Sequence, residues 1–194
     1  MTAETATIVV TDLVGSTELR VSLGEERAEE VRRQHDAALI DVARRGGGTV
    51  VKGLGDGVLV RFPGAAEAVA AAVAMQQGVD ALGRREKAEL RIRVGVSSGD
   101  VTLEDGDCFG LPVIEASRLC DAAEPDQILI AEVVSLLARG RGGHETTAVG
   151  ELELKGAGGA TFCPRRRLGA GSSRRRPAGP IAVCGQGRRA TNHH

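Results

Sequence analysis

The residues in this chain that can do chemistry are carboxylates and cations held in or beside glycine-rich turns. Asp12 ends a short aliphatic run, Ala6 to Thr11, and is followed by Leu13-Val14-Gly15-Ser16-Thr17. A strand that delivers an aspartate to a Gly-Ser-Thr turn just ahead of a helix sets a carboxylate beside free backbone N–H groups, which suits a metal and a phosphate together. The same residues also serve as ordinary turn or N-cap chemistry. Asp56 lies in Val51-Lys52-Gly53-Leu54-Gly55-Asp56-Gly57-Val58-Leu59-Val60-Arg61-Phe62. Two aliphatic runs, Thr49 to Val51 and Val58 to Val60, flank a turn built on Gly53, Gly55 and Gly57, which predicts a hairpin with the Asp56 carboxylate at its tip and the Lys52 ammonium just before it. Glycines permit positive φ and let a charged ligand approach the main chain, although a plain surface turn with two solvated charges has the same composition. Arg118 stands four residues after Ile114 in a helical stretch, on one face with it, where an arginine is commonly solvated or ion-paired.

These groups need elements to position them, and the patterning supplies a consistent set. Ala6 to Thr11 predicts a strand, and Glu18 to Arg45 one helix with Ala28, Val31, His35, Ala38, Leu39 and Val42 at spacings of three and four, stopped by Gly46-Gly47-Gly48. His35 is on the apolar stripe with no second His or Cys at ligand spacing, so it reads as a packed core histidine. After the hairpin, Ala65 to Leu82 predicts a second helix and Gly83 to Glu89 a charged connection. Leu90 to Val96 alternates, with Arg91 and Arg93 opposite the apolar positions, as expected of a strand with one wet face; Gly99 to Leu103 continues it or turns into a partner strand. The order is β-α-β-β-α-β. That is an α+β, ferredoxin-like arrangement, an antiparallel sheet with both helices on one face. Beyond the polar turn Glu104-Asp105-Gly106-Asp107 come a helix entered through Gly110-Leu111-Pro112, a strand at Ile128 to Ile130, a short helix from Glu132 to Ala138, a strand from Thr146 to Leu154 running into Lys155-Gly156, and a last strand at Ala160 to Cys163.

Length and composition narrow the function classes. The 194 residues suit one domain and a tail, divided after residue 164, with a net charge of −1 that hides an asymmetry. Residues 165–194 hold eight Arg and no Asp or Glu, leaving 17 basic against 26 acidic residues in 1–164, a net −9. The tail, rich in Gly, Pro, Ser and Arg, predicts disorder. Aromatic residues make up only 2%, with Phe62, Phe109 and Phe162 and no Tyr or Trp, so the core is aliphatic and no stacking platform for single-stranded nucleic acid is available. An acidic body without sheet aromatics argues against an RNA-binding module. No Gly-Lys is followed by Ser or Thr, which argues against a P-loop NTPase. Four scattered cysteines without a Cys-x-x-Cys pair suit a reducing compartment. No basic-then-apolar leader opens the sequence and no apolar run approaches a membrane span, so the expectation is a soluble, cytoplasmic protein.

Four pieces in order, Val10 to Thr17, Val51 to Phe62, Arg93-Val94-Gly95-Val96-Ser97-Ser98-Gly99-Asp100-Val101, and Asp107-Cys108-Phe109-Gly110 through Ala116-Ser117-Arg118-Leu119, resemble the catalytic domain of class III nucleotidyl cyclases, particularly bacterial adenylyl cyclases of the mycobacterial kind. The resemblance covers about residues 5–164 and implies a cyclase homology domain in which the βαββαβ core is extended by a further helix and C-terminal strands. It implies that Asp12 and Asp56 bind two divalent cations, Mg²⁺ or Mn²⁺, with the Leu13 carbonyl as a further ligand, so that a ribose 3′-hydroxyl attacks the α-phosphorus in line and pyrophosphate leaves. Gly15, Ser16 and Thr17 match the segment whose amides hold the β- and γ-phosphates. Lys52 and Asp107 match the pair that reads the base: one donor and one acceptor suit adenine N1 and N6, and guanine reverses the order. Arg118 matches the arginine that stabilises charge on the α-phosphate, and Lys155 the lysine that reaches the triphosphate. The family builds two equivalent sites at a homodimer interface, the aspartates from one protomer and the base readers and arginine from the other.

One position departs from the pattern. Where the family has Asn one turn before the arginine, orienting the ribose, this chain has Ile114, which can pack against a sugar but cannot hydrogen-bond to it; Glu115 is about 100° away around the helix. Two expectations follow: an active, ATP-using cyclase of reduced rate, or a weak or inactive cyclase-like domain that binds nucleotide and regulates.

Overall fold

Both faces of the first strand, β1 (Thr2–Leu13), are apolar, which makes it a central strand covered on two sides. Val9 and Leu13 pack into one core, while Ala6, Ile8 and Val10 pack into a second on the opposite face. The structure, a computed structural model, describes residues 1–139 and the backbone of 147–148, 161–162 and 181–186. β1 pairs antiparallel with β3 (Val58–Phe62) on one side and β4 (Ile92–Glu104) on the other, and β2 (Thr49–Gly53) pairs antiparallel with β3. The order β2-β3-β1-β4 is the split βαβ arrangement expected from the sequence. Helices α2 (Glu25–Arg45) and α3 (Ala65–Glu86) cover the Val9 face; Ala65, Ala68, Ala71 and Ala72 of α3 are buried, whereas Ala70 is exposed.

Beyond this core the sheet becomes parallel. β6 (Ile128–Ala131) adds alongside β4, β9 (Ile181–Gln186) alongside β6, and β7 (Thr147–Ala148) alongside β9. β5 (Asp107–Phe109) folds back on β4, and β8 (Thr161–Phe162) pairs antiparallel with β9. The segment 165–194 therefore contains a strand where its composition predicts none: Ile181-Ala-Val-Cys is a short β-forming run diluted by surrounding Gly, Pro and Arg. The remainder of the strand expected over 146–154, and Lys155, lie outside the described residues.

Three other expectations are corrected. The helix predicted over Glu18 to Arg45 is two helices, α1 (Ser16–Leu23) and α2, because Gly24 adopts φ 77°, ψ 159° and no helix passes through that conformation. The second helix runs four residues further than predicted, to Glu86, and ends at Lys87 in the left-handed region (φ 53°). The face of β4 expected to be wet is covered by α4 (Leu111–Ala122): Gly95 and Ser97 are buried beneath it. A Cβ at Gly95 would stand 2.0 Å from the Ala116 carbonyl oxygen and 2.4 Å from the Cys120 nitrogen, so the missing side chain is what admits the helix backbone to the strand. A short helix, α5 (Glu132–Ala138), follows β6 as predicted. Among the described residues no helix is long and apolar enough to cross a membrane.

Candidate active site

The hairpin tip is pressed against the end of β1. A Cβ on Gly57 would lie 1.7 Å from the Thr11 carbonyl oxygen, so only glycine permits this approach. Backbone and side chain then lock the junction: the Leu13 N–H donates to the Asp56 carbonyl (2.9 Å), and the Val58 N–H donates to Thr11 Oγ1 (3.0 Å). Asp12 and Asp56, forty-four positions apart, are thereby held on adjoining segments. The Ser16 hydroxyl donates to Asp56 Oδ2 at 2.5 Å, tying the carboxylate to the first turn of α1. Gly15, at φ 70°, turns the chain so that α1 begins beside Asp56. A cavity of about 350 Å³ opens here between α1, α2 and the tip, with Leu13, Ser16, Arg20, Arg32 and Asp56 in its wall. From α2, Arg32 donates to the Gly55 carbonyl (3.2 Å) while paired with Glu29 and Asp36, which steadies the tip from the helix side.

These oxygens suit a hard divalent cation. Among the described residues there is no cluster of three or more His, Cys, Asp or Glu, so a closed all-protein site of the structural-zinc type is not built from them. Two carboxylates with a backbone carbonyl and a hydroxyl nearby is the partial set that Mg²⁺ or Mn²⁺ accepts when substrate phosphates and water complete the shell.

The second cluster is Lys52 with Asp107. Lys52 Nζ lies 2.6 Å from Asp107 Oδ2, across 55 positions of sequence. A bulge brings it there: in the β2–β3 pairing Val50 faces Val60 and Lys52 faces Leu59, leaving Val51 extra. Val50 and Val60 belong to the α2–α3 core, whereas Leu59 belongs to the α4 core, so the extra residue turns Lys52 to the face where β5 lies. Asp107 follows a two-residue turn, Asp105 and Gly106, both at positive φ as a tight hairpin of this twist demands. The hydrogen bond from Lys52, and after it the Cys108 N–H, holds the Asp107 carboxyl below the usual carboxylate range.

On α4, Pro112, Ala116, Leu119 and Cys120 are buried against the sheet and Ile114 is 48% exposed. Arg118, one turn on, has no hydrogen-bond or ion-pair partner among the described residues. Glu115 does not substitute for the missing Asn: its carboxylate accepts a hydrogen bond from the buried Ser97 hydroxyl (2.6 Å) and so points at β4. Cys120 is buried beside Asp12 and Arg93, and burial pushes its thiol up to about 12, which keeps it neutral and unreactive. His35 is buried in α2, as expected, with Nδ1 3.1 Å from Asp36 Oδ1. Within one chain, then, Asp12 and Asp56 lie on adjoining segments and Lys52 bonds to Asp107, but among the described residues no hydrogen bond or ion pair joins these groups to each other or to Arg118. The residue that pattern reading overlooked is Arg93, which is opposite Asp12 in the β1–β4 register and bonds to its carboxylate. The sequence signal is partial: Asp12 ends one apolar run and Arg93 stands on the polar side of another, and only the pairing of the two strands puts them opposite each other.

A split-βαβ sheet with an aspartate at the end of its central strand, a second at the adjoining hairpin tip and a Lys–Asp pair behind α4 defines a nucleotidyl cyclase domain. The chain belongs to the adenylate and guanylate cyclase catalytic domain family, whose pattern matches residues 1–163. It is 40% identical over 120 residues to an uncharacterized protein of Mycobacterium tuberculosis, covering 62% of this chain and 31% of that one. It is 35% identical over 119 residues to an adenylate cyclase of Streptomyces coelicolor, covering 61% and 30%. The chain thus spans under a third of the length of these curated relatives. Among solved structures, the adenylyl cyclase CyaB from P. aeruginosa superposes with a TM-score of 0.73 at 25% identity, covering 87% of this chain and all (100%) of that one. Solved guanylyl cyclase domains share the fold as well.

Proposed function

We propose that this chain is an adenylyl cyclase domain, converting ATP to 3′,5′-cyclic AMP and pyrophosphate as a homodimer with its sites at the interface. The observation that carries the choice of ATP is the Lys52–Asp107 pair, 2.6 Å apart. One donor and one acceptor side by side complement adenine N1 and N6; guanine in the same pocket would set donor against donor and leave buried polar groups unpaired. Asp12 and Asp56, with the Leu13 carbonyl, would hold two divalent cations, Mg²⁺ or Mn²⁺. Bound there, the cations supply Lewis acidity toward the attacking 3′-hydroxyl and the phosphate oxygens. The protein groups do the rest. The amides of Gly15, Ser16 and Thr17 receive the β- and γ-phosphates at the start of α1, Lys155 reaches the triphosphate, and Arg118 stabilises charge building on the α-phosphate. Ile114 packs against the ribose without orienting it by a hydrogen bond, which favours a slow enzyme.

The dimer reading rests on surface as well as on symmetry. Leu54, Phe109, Leu111 and Ile114 are 43%, 49%, 68% and 48% exposed and close in sequence to Lys52, Asp107 and Arg118, apolar side chains that a second copy would cover.

The deciding experiment incubates purified protein at micromolar concentration with ATP or GTP and Mn²⁺ or Mg²⁺, and measures cyclic nucleotide and pyrophosphate, with Asp56→Ala as control. Cyclic AMP made by the wild type and not by the variant is the expected result. Nucleotide binding without turnover would select the second reading, a regulatory cyclase-like domain, which Ile114 favours. Cyclic GMP as main product would remove the role given to Lys52 and Asp107.

A further inference from the structure

Asp12 and Asp56 are not equivalent in their hydrogen bonding. Asp56 Oδ2 accepts a hydrogen bond from a neutral hydroxyl, that of Ser16. Asp12 Oδ2 instead accepts two from one guanidinium: Arg93 Nε at 3.1 Å and Arg93 Nη2 closer still. The pairing is built into the sheet, since Asp12 and Arg93 face each other in the β1–β4 register. It is also tethered, because Arg93 Nη1 donates to the Asp121 carbonyl at the end of α4 (3.1 Å) and the Cys120 thiol donates to the Arg93 carbonyl (3.4 Å). Both side chains are about one-third exposed, 29% for Arg93 and 34% for Asp12, so their charges are incompletely screened by water. Both bonds fall on the same oxygen, and among the described residues no hydrogen bond reaches Oδ1.

We propose that Arg93 is a latch on Asp12: in the nucleotide-free protein its guanidinium takes the place of a divalent cation on that carboxylate, so that cations bind tightly only together with a nucleotide. This rests on the reading of Asp12 as a cation ligand. The logic is charge. A divalent cation arriving alone must share Asp12 with a fixed positive charge a few ångströms away, and like charges at that distance repel strongly in a partly dry site. A nucleotide triphosphate brings its own negative charges, which offset both the cation and the guanidinium. Cation and nucleotide then bind with positive coupling, and each raises the other's affinity by the same factor.

The test is Mn²⁺ titration of the full chain by electron paramagnetic resonance of free Mn²⁺, with and without a non-hydrolysable ATP analogue. In Arg93→Met, which keeps an unbranched stem and removes the charge, nucleotide-free Mn²⁺ affinity is expected to rise about tenfold, and the gap from wild type to narrow to under about threefold with the analogue present. Arg93→Lys keeps the charge but not the forked contact, and is expected to fall between the two; it also serves if Arg93→Met does not fold by circular dichroism. Equal or weaker nucleotide-free Mn²⁺ binding in the variants overturns the latch and leaves Arg93 a structural clamp. Asp12→Asn separates the two failures: if it binds Mn²⁺ with the analogue as tightly as wild type, the assignment of Asp12 as a cation ligand is what fails.

Discussion

Lys52 and Asp107 pair with each other, and on the proposed function adenine would exchange that bond for two new ones. The exchange is cheap because the pair is exposed, 45% for Lys52 and 32% for Asp107, and exposed ion pairs contribute little. The pair favours the ionised form of Asp107, the form that the proposed function needs to accept from an adenine amino group. Its folded pKa is lowered, first by the Lys52 hydrogen bond and then by the Cys108 N–H. A lowered carboxyl stabilises the fold above its unfolded pKa, and that contribution is lost as pH falls through the folded value. The expected outcome is therefore a carbon-13 NMR titration of the Asp107 carboxyl with a midpoint below 3.8, the ordinary value, moving up toward 3.8 in Lys52→Ala. An unchanged midpoint in that variant would remove Lys52 as the partner.

At the scale of elements, the placing of Asp56 beside the end of β1 depends on how close a hairpin tip can come to a strand end. Gly57 sets that distance, with no room for a Cβ beside the Thr11 carbonyl. Gly57→Ala is expected to cost about 2–3 kcal/mol of stability by overpacking against backbone that cannot move aside, and to lower cyclase activity further by shifting Asp56 away from Asp12. Gly53→Ala, in the same hairpin with nothing within 4 Å of its Cβ, is the matched control and is expected to stay within about 0.5 kcal/mol of wild type. Urea melts and activity on the two variants check both statements; equal effects would show that turn flexibility, not close approach, is what the glycines supply. The same closeness explains what sequence patterning could and could not show. The βαββαβ order was legible because Val58-Leu59-Val60 and the alternation through Ile92, Val94 and Val96 carry strand periodicity, and each long helix carries an apolar stripe. The burial of β4 on both faces was not, because it depends on Gly95 leaving room for α4, and a glycine in a strand does not announce which partner approaches it. Nor was the break at Gly24, since the apolar spacing on its two sides is compatible with one continuous helix. The Asp12–Arg93 bond needed the β1–β4 register, which no local pattern specifies.

Across the whole molecule, the proposed function divides the described residues into two half-sites. Asp12 and Asp56 lie where β1 meets the hairpin tip. Lys52 and Asp107 lie on the α4 face, and Arg118 stands on α4 without a partner among the described residues. In the proposed isologous dimer the half-site of one copy would be set against the complementary half-site of the other, twice. Mixing variants makes the arrangement testable. In a heterodimer of Asp56→Ala with Arg118→Ala, one composite site carries both lesions and the other carries neither. Random pairing yields about half heterodimers, each with one intact site of two, so mixing two inactive proteins is expected to restore about a quarter of wild-type activity. If instead each site were built within one protomer, every site in every pairing would keep a lesion and the mixture would stay as inactive as its components. The measurement is cyclic AMP formation after co-refolding or co-expression of differently tagged chains, with heterodimers isolated by sequential affinity capture. Confirmed heterodimers that make no cyclic AMP, beside an active wild-type dimer, would exclude shared sites.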